Sequence, residues 1–156
     1  MNFETAVEFV IKHEGGYVWD NLDPGGETKY GISKRAYPNV NIKALTRDDA
    51  INIYKRDYWD KLPDGLPTSI HCALFDCAVN TGISRAIRLL QSAVKVNPDG
   101  QWGRLSQSAL NKRDANEVLL MFTTERIMFY SALSTFARFG KGWVSRSVSC
   151  LAKFKE

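Results

Sequence analysis

A mainly α domain with one small β-hairpin lobe, placed directly after the first helix, is the fold class this sequence predicts. Two observations carry that expectation. Apolar residues recur at three- and four-residue spacing through most of the chain, the repeat of helices that each bury one face. Residues 15–45 break the repeat, and they hold five of the eleven glycines and two of the five prolines. A length of 156 residues suits a single domain with its own core. Hydrophobic residues at 44% and charged ones at 24% are ordinary globular values. They exclude a disordered tail, a collagen-like chain and a coiled coil.

The elements follow in order. In 2–14, Phe3, Ala6, Val7, Val10 and Ile11 form one apolar stripe, and Gly15-Gly16 stops the helix. Lys29–Ile32, aromatic and β-branched after Asp23-Pro24-Gly25-Gly26, predicts a short hairpin. Thr46 with Asp49 approximates a capping box for a helix over 46–59, whose stripe is Ala50, Ile53, Tyr54 and Tyr58. Thr68 is expected to cap a third helix to about Val79, and Ser84 a fourth to about Val96. A fifth is expected near Leu105–Leu110. Asp114 with Glu117 opens a long sixth, and a last one spans about Gly142–Phe154. Repeats, low-complexity segments and linkers are absent from the sequence.

Lys plus Arg exceed Asp plus Glu by 21 to 17, a net charge of +4. That mild excess favours anionic partners such as nucleic acid, a membrane surface or a bacterial envelope. Without a Lys/Arg block of five or more, nucleic acid is not an expected partner. No apolar run approaches the roughly 20 residues of a membrane span, so no stable membrane insertion is expected. Cys72 and Cys77 fall about 140° apart around one helix, and the three cysteines are expected reduced and mostly buried. His13 and His71 lack HExxH or CxxC company, so neither a metal nor another cofactor is expected; His71 reads as a packed helix residue.

Glu14 asks for an explanation. It ends an amphipathic helix and precedes two glycines and Tyr17. The partial negative charge of a helix C-terminus repels a carboxylate and favours its protonated form, which is what a general acid requires. The competing reading is an exposed glutamate on a fraying turn.

The run Glu14-Gly15-Gly16-Tyr17, then Asp20, then Asp23-Pro24-Gly25-Gly26-Glu27-Thr28-Lys29-Tyr30-Gly31-Ile32-Ser33, resembles glycoside hydrolase family 108. That family contains phage endolysins and related muramidases with a lysozyme-like fold. Matching pieces follow in order: Tyr58-Trp59-Asp60, Phe75 to Gly82, Leu90-Gln91, Asp99 to Gly103, and Phe139-Gly140-Lys141-Gly142-Trp143 with Arg146. The resemblance covers nearly the whole chain. Two positions depart from the family pattern: Asn21 stands where a second proline is frequent, and Cys77 where an aromatic or aliphatic residue is usual.

The resemblance implies an α+β lysozyme-like fold and a single domain over 1–156. Residues 1–95 would be its catalytic region, and 96–156 a helical, peptidoglycan-binding-like region packed onto it. It also implies that Glu14 protonates the glycosidic oxygen between N-acetylmuramic acid and N-acetylglucosamine. Asp23 would hold or activate a water, and Thr28 or Tyr30 would orient it, if the reaction inverts. Asp20 competes for the aspartate role and is otherwise expected to bind substrate, as is Asn80. Each has a structural alternative: Asp23 as turn former, Thr28 and Tyr30 as cross-strand residues, Asn80 as a helix C-cap. Ser106 and the Asn97–Gly103 turn read equally as an N-capped helix start, and Trp143 with Arg146 as a lock on the last helix.

The expected protein is therefore a peptidoglycan-cleaving, bacteriolytic glycosidase working as a monomer. Its alternatives are a lytic transglycosylase on the same strand and a non-catalytic glycan-binding protein. Glu4 and Glu8 interrupt the first apolar stretch, contrary to a signal peptide. The expectation is synthesis in the host cytoplasm and action in the periplasm, reached through a holin or a secretion system.

Overall fold

The computed structural model describes residues 1–19 and 26–156. Helix α1 (Phe3–Glu14) begins at Asn2, whose side chain accepts from the Thr5 amide at 3.1 Å, and it buries Ala6, Val7, Phe9 and Val10. It stops at Gly15, whose φ of +77° suits glycine.

The hairpin lobe follows as an antiparallel sheet of three short strands in the order β1 (Val18–Trp19), β2 (Glu27–Lys29), β3 (Ile32–Ser33). Thr28 pairs with Val18 on one side and Ser33 on the other. Lys29 pairs with Ile32, so Tyr30-Gly31 is a two-residue turn, with φ of +52° and +78°. Positive φ at both positions matches the right-handed twist of the strands it joins. The structural alternative for Tyr30, a cross-strand residue, does not hold, since Tyr30 occupies that turn.

The body comprises α2 (Arg47–Asp57), a short 3-10 turn (Trp59–Lys61), α3 (Thr68–Thr81), α4 (Ile83–Ala93), α5 (Arg104–Asn111), α6 (Ala115–Ser131) and α7 (Phe136–Phe154). The Thr46–Asp49 capping box forms in full, and Asp114 accepts from the amides of Asn116 and Glu117. Helix α3 is the hub. Ile70 and every residue from Cys72 to Ala78 are buried, and α1, α4, α6 and α7 pack around it. A helix buried on all sides needs apolar residues all round, which α3 supplies with the exceptions of Ser69 and Asp76. One core runs from Val7 and Val10 through Phe75 and Leu90 to Leu119, Phe122 and Phe154, drawing on both halves of the sequence. Each such side chain contributes about 1.5–3 kcal/mol by leaving water.

Some boundaries differ from expectation. Thr68 is the first residue of α3 and follows Pro67, while α4 starts from Gly82 (φ +86°) rather than from Ser84. Helix α4 ends at Ala93 because Lys95 turns to a φ of +62°. Helix α7 begins six residues before Gly142 and carries Gly140 inside it. A Cβ at Gly140 would lie 2.5 Å from the Phe136 ring, so close packing outweighs a helix-propensity cost of about 1 kcal/mol. Cys72, Cys77 and Cys150 are free and buried, and burial pushes the Cys72 thiol up to about 11. Among the described residues, no helix is long and apolar enough to cross a membrane.

Candidate active site

Glu14 is the last residue of α1, with its side chain 24% exposed. The hairpin turn lies directly against it. A Cβ built on Gly31 would fall 2.7 Å from Glu14 Cγ, 2.9 Å from Glu14 Cβ and 2.3 Å from Tyr54 Oη. Only glycine lets the backbone come this near while keeping its positive φ. The Tyr54 hydroxyl donates to the Tyr30 carbonyl at 2.8 Å, tying the turn to α2. Burial, and after it the charge of Glu14, push the Tyr54 phenol far above its ordinary range, so it stays a neutral donor.

From the opposite side comes Arg146 of α7. Its Nη1 donates to Glu14 Oε1 at 2.5 Å. Its Nε donates to Asp76 Oδ1 at 2.9 Å, and Nη2 sits 2.8 Å from the same oxygen, near enough for charge attraction though not aligned as a hydrogen bond. Burial works against the Arg146 charge, but Asp76 and Glu14 outweigh it and hold the guanidinium above its usual range. The helix-end carboxylate thus has an opposing cation, which the neighbouring sequence does not reveal. Such a group can stand on a free helix C-terminus only at a cost, and Arg146 offsets that repulsion.

The other expected site residues divide by position. Thr28 sits half-buried in the middle strand, two residues before the turn that touches Glu14. Tyr30 packs its ring against the core, with Lys29 Nζ 5.7 Å from the ring centroid. Asn80 is exposed near the end of α3, where its side chain donates to the Asp76 carbonyl at 3.1 Å. Gly82, not Asn80, is the C-cap of α3. Asp76, one turn before Asn80 in α3, is fully buried. Asp20 and Asp23 lie outside the described residues. Beside this lobe, Tyr17 donates to Glu27 Oε1 at 2.8 Å across β1 and β2, and Trp19 is 64% exposed.

Sequence reasoning passed over Tyr54 as one more apolar stripe residue and did not single out Arg126. Arg126, the one arginine of α6, is 2% exposed and donates from Nη1 to Asp76 Oδ2 at 2.7 Å. One aspartate in an all-buried helix and one arginine in another are the signals that could have paired them, since buried charges need partners.

The Asn97–Gly103 turn is organised from within. Buried Gln91 accepts from the Gly100 amide at 2.8 Å and donates to Asp99 Oδ1 at 2.8 Å and to the Gln101 carbonyl at 2.9 Å. Trp143 stacks on Tyr130 at 5.0 Å between ring centroids, fastening α7 to α6.

This geometry has known relatives. The family described as Glycosyl hydrolase 108 matches residues 7–82. Among solved structures, SagA of Brucella abortus superposes with a TM-score of 0.87 at 35% sequence identity, covering 97% of this chain and 92% of that one. A comparison with curated proteins finds no match.

Proposed function

Because the chain belongs to the glycosyl hydrolase 108 family and is a glycoside hydrolase of the peptidoglycan-degrading kind, we propose that it is an N-acetylmuramidase with Glu14 as general acid. Its target would be the β-1,4 bond between N-acetylmuramic acid and N-acetylglucosamine. The observation that supports this most is the setting of Glu14: a partly exposed carboxyl at a helix end, packed against Gly31 of the hairpin and held on one oxygen by Arg146. A fixed carboxyl with one oxygen engaged can present the other to a leaving group. In the reaction the proton passes from Glu14 to the glycosidic oxygen, which takes the electron pair of the breaking C1–O bond. Glu14 is left as a carboxylate. The hairpin lobe would supply the second group, with Asp23 on the water and Thr28 or Tyr30 orienting it; Asp20 and Asn80 would bind sugar.

The biological reading is an endolysin. The protein would act as a monomer on thin peptidoglycan in the periplasm, reached through a holin or a secretion system, with its net charge of +4 drawing it to the anionic wall. Residues 96–156 would serve as a wall-binding region built onto the catalytic one.

Mass spectrometry of digested muropeptides tests the chemistry. Hydrolysis leaves reducing muramic ends, whereas 1,6-anhydro ends would make the protein a lytic transglycosylase. Glu14→Gln, isosteric but unable to donate the proton, is expected to lose about 10²–10⁴-fold in rate with its fold intact. Parent-level cleavage by a folded Glu14→Gln protein would remove Glu14 from the mechanism.

A further inference from the structure

The contact between Glu14 and Arg146 is one end of a longer string of charges. Arg146 passes from Glu14 to Asp76, and Asp76 passes from Arg146 on Oδ1 to Arg126 on Oδ2. Acid and base alternate, two of each, and the string joins the end of α1 to α7, α3 and α6. Exposure falls along it from 24% at Glu14 through 10% at Arg146 to 0% at Asp76 and 2% at Arg126. Among the described residues, Arg126 Nη2 is buried without a hydrogen-bond partner. Buried ion pairs are a poor source of stability, because desolvation consumes most of what their attraction returns. Stability alone is therefore a weak reason for this string.

The hydrogen bonds on Arg146 suggest a better one. Free to choose, a guanidinium takes a carboxylate by two parallel N–H bonds and covers both oxygens. Here Asp76 takes the Nε–H and draws Nη2 by charge without an aligned hydrogen bond, and in that orientation Arg146 reaches Glu14 through Nη1 alone, on Oε1. An acid clamped on both oxygens has none left for the proton it must deliver.

We propose that Asp76, backed by Arg126, is a positioning residue for the glycosidase reaction: it occupies one edge of the Arg146 guanidinium, restricts Arg146 to Glu14 Oε1 and leaves Oε2 to carry the proton. This rests on the reading of Glu14 as the acid. Arg126 holds Asp76 in place from the far side, with the Tyr130 hydroxyl 3.2 Å from its Nε. Removing Asp76 and Arg126 together would delete one charge of each sign and release the Nε edge of Arg146 to close on Glu14.

The test is the paired variant Asp76→Leu/Arg126→Met, which fills the space with apolar volume; if it does not fold, Asp76→Ala/Arg126→Met, which likewise leaves no acceptor for Arg146 Nε, is read in the same way. On peptidoglycan fragments, kcat is expected to fall about 10- to 100-fold with KM held within about twofold, while the thermal midpoint is kept. A second readout needs no turnover: the Arg146 Nε–H resonance, assigned by its loss in Arg146→Lys. With Asp76 present, Glu14→Gln should leave that resonance in place, because Nε faces Asp76. In the paired variant the same substitution should move it. Parent-level kcat in the paired variant, or an Nε–H resonance there still indifferent to Glu14→Gln, overturns the proposal. If the parent protein releases no sugar at all, the muramidase reading fails, and the resonance still decides whether Asp76 restricts Arg146.

Discussion

Arg146 Nη1 meets Glu14 Oε1 at 2.5 Å, joining residues 132 positions apart in the chain. The contact closes the last helix onto the first and holds the carboxyl beside the hairpin. Arg146→Met would leave Asp76 buried with Arg126 alone and take from Glu14 its ion-pair partner. Breaking one partner out of a buried pair costs about 3–5 kcal/mol, and the Asp76 side of this fork is fully buried. Urea denaturation should register a loss toward the lower end of that range, because Glu14 is partly solvated. A variant as stable as the parent would show that the fork contributes nothing to folding.

Gly31→Ala tests the packing of the hairpin against the carboxyl. The new methyl would meet Tyr54 Oη at 2.3 Å and Glu14 Cγ at 2.7 Å, at a φ of +78°. Strain in that region alone costs about 1–3 kcal/mol, and here the clash adds a displacement of Glu14. Thermal unfolding and turnover should both drop. Gly26→Ala is the control: its φ is +66° but among the described residues nothing lies within 4 Å of the added carbon, so it should lose stability while sparing Glu14. Equal activity losses in the two variants would mean that contact with Glu14 does not matter.

His71 predicts a pH dependence of stability. Its ring stacks on Trp59 at 4.1 Å with 7° between planes, and burial holds its pKa below the ordinary histidine value. The unfolded chain takes up the proton near pH 6.5 while the folded one resists it, so acid favours unfolding. The contribution of His71 is present above about pH 6.5 and lost as pH falls from there toward the lower folded value. Denaturant midpoints between pH 7 and pH 5 should decline, and His71→Phe should flatten part of that slope. An unchanged slope in His71→Phe would assign the pH dependence to other groups.

The second catalytic group is tested by Asp23→Asn against Asp20→Asn. Asp23 follows Glu14 by nine residues and is the aspartate that the family resemblance sets on the water, so its loss should cost more activity than that of Asp20. An inverting pair would stand roughly 6.5–9.5 Å apart and a retaining pair about 5–5.5 Å. If Asp23 only shapes the Asp-Pro-Gly-Gly turn, Asp23→Asn lowers the melting temperature more than turnover. Retained activity in Asp23→Asn with loss in Asp20→Asn reverses the assignment.

Local chemistry made much of the architecture readable in advance. The apolar stripe of α1 and the caps at Thr46 and Asp114 act over three or four residues. Interactions of that range are written in neighbouring letters. The start of α7 was not readable, because Gly140 and Gly142 weaken local helix preference and the close contact between Gly140 and Phe136 outweighs it.

By itself the sequence determined the helical body, the place of the hairpin lobe, the family resemblance and the prominence of Glu14. Only the tertiary structure decided what surrounds that carboxyl. Gly31 and Tyr54 approach it from the hairpin and α2, and Arg146 arrives with Asp76 and Arg126 behind it, from positions up to 132 residues away. Ion pairs and close backbone contacts depend on distance in space, and a lone Asp in α3 or Arg in α6 carries no mark of its partner until folding removes both from water.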